Sequence, residues 1–217
     1  MSLPVVVKPV ISNEPARLVA SAADASSLAG KAGPFLVQPF IPGGMSSVAG
    51  VHVEGRMLAA VQQRYVRTWP VACGTSSAAV TVSVDEARLR AMSRVLGRYE
   101  GIFQAQFAGD ALIDVNPRVY GSLPLAVASG VNLPAIWCRW LEGGPAPPPS
   151  RGRAGVRYRW LEGDIRHVAS GLRSGHLGVR DALAALTPHP GTAHSVEAVT
   201  DPAPFIARLR FARSGRG

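Results

Sequence analysis

Gln104, Gln106, Asp114, Asn116 and Arg118 fall within GIFQAQFAGDALIDVNPR, residues 101–118, a stretch that reads as two short strands joined at Ala108-Gly109-Asp110. Alternation places Phe103, Ala105 and Phe107 on one face of the first strand and Gln104 and Gln106 on the other. In the second strand, Ile113 and Val115 alternate with Leu112, Asp114 and Asn116. If Phe107 pairs with Ala111 across the turn, the glutamine face and the Asp114/Asn116 face coincide. A row of side-chain oxygens suits a hard cation such as magnesium, which commonly shares its coordination with nucleotide phosphates. An arginine just beyond the row suits a phosphate or a carboxylate. The plainer alternative is a hairpin with a solvated polar face and an Asn-Pro stop.

Other elements must hold this hairpin. LPVVVKPV is a compact β-branched strand that ends at Pro9, with Lys8 at its exit. A polar stretch with Asn13, Glu14 and Pro15 follows, and residues 15–30 read as a helix ending near Gly30. PFLVQPFIPGG is a second strand, broken by Pro39 and Pro42, and VHVEGRMLAAVQQRYV is a hairpin turning at Glu54-Gly55. Ser83 and Glu86 have capping-box spacing ahead of a helix that carries Leu89, Met92, Leu96 and Tyr99 on one face. Arg88, Arg90, Arg94 and Arg98 then fall on the solvated face. A largely apolar helix spans 122–142. GGPAPPPSRGRAG reads as a linker, VRYRWLEG as a strand, and 164–187 as helical pieces interrupted by Gly171, Gly175 and Gly178.

The hairpin resembles the metal-binding end of ATP-grasp enzymes, which join a carboxylate to a nucleophile through an acyl-phosphate. The form QF…IDVNPR followed by GSLPLAVASGVNLPAIWCRWLEG is especially similar to the ATP-grasp units of carbamoyl-phosphate synthetases. The resemblance implies Gln106, Asp114 and Asn116 as ligands of magnesium, or manganese in its place, with Asp114 standing where glutamate is commoner. It implies Arg118 as the contact to the acyl-phosphate and the transferring phosphoryl group. Lys8, at the end of VVVKP, matches a lysine that reaches the ATP phosphates. Gln38 aligns with a polar residue of the hinge over adenine, where the Pro39 carbonyl and the Ile41 amide would meet the base. Arg64, with Arg67 nearby, falls in the region that faces phosphates or the carboxylate substrate; surface charge is the equal alternative.

The resemblance covers residues 3 to about 143 and departs from the family in three places. No glycine-rich phosphate loop is evident in ISNEPARLVASAAD, and Gly43-Gly44-Met45-Ser46-Ser47 replaces an acid often found near the ribose. The chain also opens at the lysine strand. The expectation is therefore an amino-terminally truncated unit whose lysine strand lacks a neighbour and which turns over poorly by itself. No internal repeat is visible, which argues against a complete carbamoyl-phosphate synthetase.

The fold expected is α+β: the carboxy-terminal lobes of an ATP-grasp module, with a mainly antiparallel sheet and flanking helices, plus a small appendage. The division expected is a partial ATP-grasp domain over 1–143, a Pro/Gly linker over 144–155 and a basic accessory segment over 156–217. The partners implied are ATP, a small carboxylate and an amine or ammonia, with a homo-oligomer left open. The alternatives are a non-catalytic nucleotide-binding fragment and a basic nucleic-acid-binding protein.

Composition narrows these. With 217 residues, 47% hydrophobic and 17% charged, the chain is globular and not disordered. Net charge is +9, of which the segment 151–217 supplies +6, from 11 basic and 5 acidic residues. Such a charge attracts polyanions, but no aromatic-rich basic motif accompanies it, so nucleic acid is not the expected partner. There is no run of about 18 apolar residues to span a membrane, and MSLPVVVKPV has no basic n-region. Cys73 and Cys138 have no ligand pattern and read as reduced thiols of a cytoplasmic protein. The five histidines show no zinc spacing, and no nucleophile elbow occurs.

Overall fold

The valine run near the start does form a strand, and it is sheltered on both sides. In the computed structural model, which describes residues 2–10, 14–31, 33–145, 147–198 and 200–213, β1 (Val5–Pro9) lies between β2 (Arg17–Val19) and β3 (Phe35–Pro39). The three strands are antiparallel. Two expectations are corrected here. The lysine strand is central and has no open edge. Residues 17–19 are strand and not helix, because Val19 pairs with Val5 and both are buried. Helix α1 shrinks to Ala22–Ser26, opened by a Ser21/Asp24 capping box, and it buries no side chain that could extend it. Asn13 lies outside the described residues.

The main sheet grows from the expected hairpin of β4 (Met45–Val53) and β5 (Arg56–Trp69). Its turn residues Glu54 and Gly55 have φ of 46° and 72°, the left-handed pair that a two-residue hairpin turn requires. On one side of this pair lies β6 (Thr75–Val82); on the other come β7 (Gly101–Ala108) and β8 (Ala111–Asn116). Three short strands complete it: β9 (Ser150–Arg151), β10 (Arg157–Arg159) and β11 (Ala193–His194). The order is β11-β10-β6-β5-β4-β7-β8, with β9 against β5. Only the β10–β11 and β5–β9 pairs are parallel.

Helices cover both faces. α2 (Glu86–Leu96) lays Leu89, Met92 and Leu96 on Val48, Ala60, Phe103, Ala105 and Phe107. Truncating one such buried leucine to alanine removes about 2–5 kcal/mol of stability. The cap is Asp85 and not Ser83: its carboxylate accepts from the amides of Ala87 and Arg88. Arg88 is not on the solvated face either. It lies 4.4 Å over the Phe107 ring and donates to Asp110.

The opposite face carries two helices where one was expected over 122–142, α3 (Leu123–Ala128) and α4 (Leu133–Leu141). Gly130, at φ 97°, ends the first turnaround, and Asn132 caps the second helix through the Ala135 amide. Leu133, Ala126 and Val131 pack there on Ala49, Val51, Ala59 and Val61.

The carboxy-terminal third is stitched into this frame. β9 pairs with Ala59 and Ala60, and the Gly152 amide donates to the Ala60 carbonyl. The strand read in VRYRWLEG stops at Arg159, and α5 (Leu161–Arg173) takes up its last three residues. Gly171 lies inside α5 and does not break it. α6 (Val179–Leu186) and α7 (Ala203–Arg213) follow. No helix among the described residues is long and apolar enough to cross a membrane.

Candidate active site

The β7–β8 hairpin turns tighter than its sequence suggests. Ala108 pairs with Ala111 across a two-residue turn, where Gly109 has φ 55°, and Phe107 pairs with Leu112. Continued without interruption, that register would set Gln106 opposite Ile113 and bury the wrong face, since a slip of one residue inverts every side chain. The register instead shifts after Phe107, so that Gln106 pairs with Asp114 and Gln104 with Asn116. Ile113 is the extra residue of this bulge. The expected face is reached by another route: not Phe107 against Ala111, but a shorter turn and one unpaired residue.

The bulge has a second effect. An unpaired residue leaves its carbonyl outside the ladder, and the Ile113 carbonyl accepts from Lys8 Nζ at 2.8 Å and from Gln38 Nε2 at 3.5 Å. Lys8 Nζ also stands 4.0 Å from Asp114 Oδ1. The small sheet is thereby fastened to the hairpin at its most polar point. Lys8, Gln38, Gln106, Asp114 and Asn116 converge here, as do Pro39 and Ile41 on the wall of the same cleft.

This oxygen row suits a hard cation. Gln106 donates its amide to the Tyr65 hydroxyl at 3.1 Å, which leaves its carbonyl oxygen free to act as a ligand. Burial pushes the Tyr65 phenol above its ordinary range, so it stays protonated and neutral beside the row. Asn116 donates to Asp114 Oδ2 at 2.8 Å and accepts from Arg118 Nη2 at 3.1 Å. Asp114 is the one carboxylate of the row, and its side chain is 39% exposed. No cluster of three or more His, Cys, Asp or Glu side chains occurs among the described residues. A cation held here must therefore take further oxygens from its ligand, which is how magnesium is usually shared with phosphates.

Two chambers meet at the row. The first, about 550 Å³, lies between the small sheet and the hairpin, and is lined by Lys8, Gln38, Phe40, Ile41, Met45 and Trp69 among others. The second, about 380 Å³, lies under β6, β10 and α7. Gln106, Asp114, Asn116 and Arg118 line both. Arg118 thus stands at their junction, its guanidinium on the Val119 carbonyl and Asn116.

Arg64 is not part of this gathering. Alternation along β5 puts Gln63 and Tyr65 on the side of the row and Arg64 on the reverse, where it lines a separate cavity with Arg157 and His189. Arg67, past a bulge at Val66, also serves elsewhere: it binds Asp164 bidentately at 2.5 and 2.9 Å. In place of these arginines the second chamber has Tyr65, Tyr120, Ser122, Tyr158, Trp160 and Arg208. Tyr65 was legible, since it alternates with Arg64 in a hairpin whose turn is plain. Trp160 and Arg208 were not, because only tertiary packing brings them here.

The ATP-grasp group described as "ATP-grasp in the biosynthetic pathway with Ter operon" matches residues 31–164, more than half of the chain. No curated protein sequence is a match. Among solved structures, the chain is similar to an L-amino acid ligase from Bacillus licheniformis, with TM-score 0.51 and 18% identity over 64% of this chain and 39% of that one. An ADP complex of purK, an N5-carboxyaminoimidazole ribonucleotide synthetase, gives TM-score 0.56 and 13% identity over 81% and 50%. Biotin carboxylase from Campylobacter jejuni, in complex with β,γ-ATP, gives 0.53 and 16% over 72% and 41%. At such identities the likeness is one of fold, and the chain spans half or less of each of these proteins. The α+β fold is the ATP-grasp fold, and the chain belongs to the ATP-grasp family, in its Ter-operon group.

Proposed function

We propose that this chain carries out, or forms the metal-bearing part of, an ATP- and magnesium-dependent ligation of a carboxylate to an amine or ammonia. The observation that carries this reading is the convergence of Lys8, Gln106, Asp114, Asn116 and Arg118 at the junction of two chambers. ATP takes the larger chamber, its base against Pro39–Ile41 and its phosphates toward Lys8. The carboxylate takes the smaller one. Gln106, Asp114 and Asn116 would hold the cation, which would supply neutralisation of the phosphate charge.

The chain's own part is positioning and electrostatics. A substrate carboxylate oxygen attacks the γ-phosphorus, ADP departs, and the acyl-phosphate remains at Arg118, where a planar guanidinium can hold two oxygens at once. The amine then attacks the acyl carbon, inorganic phosphate leaves, and the amine proton passes to solvent. Lys8 must exchange the Ile113 carbonyl for a phosphate oxygen, a short move because that carbonyl borders the cleft. The test is ADP release by the purified chain with acids and amines supplied together and singly. Release that requires both supports ligation.

A second reading, nucleotide binding without turnover, is favoured by the single carboxylate of the row. It predicts magnesium-dependent ATP binding with no ADP release under any pairing.

A further inference from the structure

The second chamber has an uneven distribution of charge, and its far wall belongs to the carboxy-terminal third of the chain. Tyr158, Trp160, Ser195, Val196 and Arg208 form that wall. Trp160 packs against the first turn of α5 because residue 163 is glycine: a Cβ there would come within 2.3 Å of the indole. Arg208 lies over the same ring, 5.7 Å from its centre. Its Nε donates to Glu162 at 2.7 Å, and Glu162 also holds Arg166 at 2.7 Å. Two guanidinium groups on one carboxylate leave a net positive charge. The terminal nitrogens of Arg208 make no hydrogen bond among the described residues, so the fork is oriented at its root and open at its tip.

Asp114 is the only acidic side chain among the described lining residues, and it belongs to the cation row. An ammonium group at this wall would stand beside the Arg208 guanidinium, whose side chain is 46% exposed, and like charges repel there. The nearest carboxylates behind the wall are already engaged: Glu162 by Arg208 and Arg166, and Glu197 by the amides of Leu161 and Val196. We infer that, given the ligase reading above, the acid taken by this chamber carries a second anionic group, a carboxylate or a phosphate, that docks on Arg208, and carries no ammonium. The reacting carboxylate faces Arg118 and the cation row while the second anion fixes its opposite end. The carboxy-terminal segment is therefore the part of the chain that chooses the acid.

The test is calorimetric titration of the whole chain with magnesium and a non-hydrolysable ATP analogue present. The probes are glutarate, its half-amide glutaramate, 3-phosphonopropionate and glutamate. One or both of the dianions without ammonium should bind at least about tenfold more tightly than glutaramate, as a charge-assisted bond to an open guanidinium implies. Glutamate should be weaker than glutarate. Arg208→Gln should bring the glutarate-to-glutaramate ratio to about one, and Arg208→Lys should restore part of it. Whether glutarate or the phosphonate binds better identifies the second anion.

Equal binding of glutarate, the phosphonate and glutaramate, a preference that survives Arg208→Gln, or glutamate as the tightest ligand would each overturn the inference. So would the absence of acid binding at millimolar concentration in a chain that binds the nucleotide. The nucleotide arm reports on the ligase reading separately: its failure sinks that reading, and titration of the acids alone still tests the chamber.

Discussion

Asp114 and Asp164 are both aspartates that face cations, and they do opposite things with them. Asp164 is completely buried, and its two oxygens are taken by Arg67 at 2.5 and 2.9 Å and by Arg159 at 3.0 Å. Both arginines also donate to the Ala185 carbonyl, so the cluster ties β5, β10, α5 and the end of α6 together. Asp114 is more than a third exposed, touches one amide, and has its nearest ammonium 4.0 Å away. A carboxylate whose lone pairs are filled by the fold is scaffold. One left with unfilled lone pairs at the meeting of two cavities is available to a ligand, even though both sit among basic residues.

The largest effect should come from breaking the closed cluster. Asp164→Ala leaves two mostly buried guanidinium groups facing each other and should lower stability by about 3–5 kcal/mol, read as a shift in the denaturant midpoint at unchanged m-value. If Asp164 were a ligand site, stability would scarcely move and nucleotide affinity would fall instead. Arg118→Lys should come next. It keeps the charge and loses the fork, so in any active preparation kcat should drop at least about tenfold while the KM for ATP changes less than about threefold. Equal losses in both would make Arg118 a structural residue.

Deleting Ile113 sharpens the comparison further. The flanking pairs Phe107–Leu112 and Gln106–Asp114 can persist in a regular ladder, so the cation row survives, but Lys8 and Gln38 lose their shared acceptor. Faster amide exchange in β1 and β3 than in β7 and β8 is the expected result. Uniform protection would show that the bulge does not fasten the small sheet.

The smallest effect belongs to Glu86, whose carboxyl is held below its usual range chiefly by the hydrogen bond from Arg151, against a small opposing desolvation. A lowered folded pKa means that its contribution is present above the ordinary glutamate range and fades as pH falls through the lowered value. The pair is exposed, so the contribution is slight. Glu86→Gln should abolish a small acid-dependent drop in unfolding midpoint and leave neutral stability nearly as it was.

The hairpins were legible because alternation and the Glu54-Gly55 and Gly109-Asp110 turns are local features. The bulge was half legible: with even-numbered Gln106 and Asp114 on one face, the connection needs either a three-residue loop or an extra strand residue, and the sequence alone does not choose. β6 was not legible because TSSAAVTV is built mostly of small residues, is buried along most of its length and shows no period. The break at Ser129-Gly130 was visible in principle, since Gly, Asn and Pro follow one another there. Arg67 and Asp164 are 97 residues apart, and Trp160 and Arg208, which also touch, are far apart in the chain. No local pattern encodes such contacts, which is why Arg64 and Arg67 looked like site residues and Arg208 did not.

The most direct test of the open-carboxylate account is ATP affinity measured across a magnesium series for the natural chain and for Asp114→Asn. The account predicts that magnesium tightens ATP binding in the natural chain. In the variant that gain should fall by at least about tenfold, because the row loses its only charge opposite the cation. The same series on Asp164→Asn, read below its unfolding midpoint, should keep the full gain. An Asp114→Asn chain whose ATP affinity matches the natural one at every magnesium concentration would contradict the account.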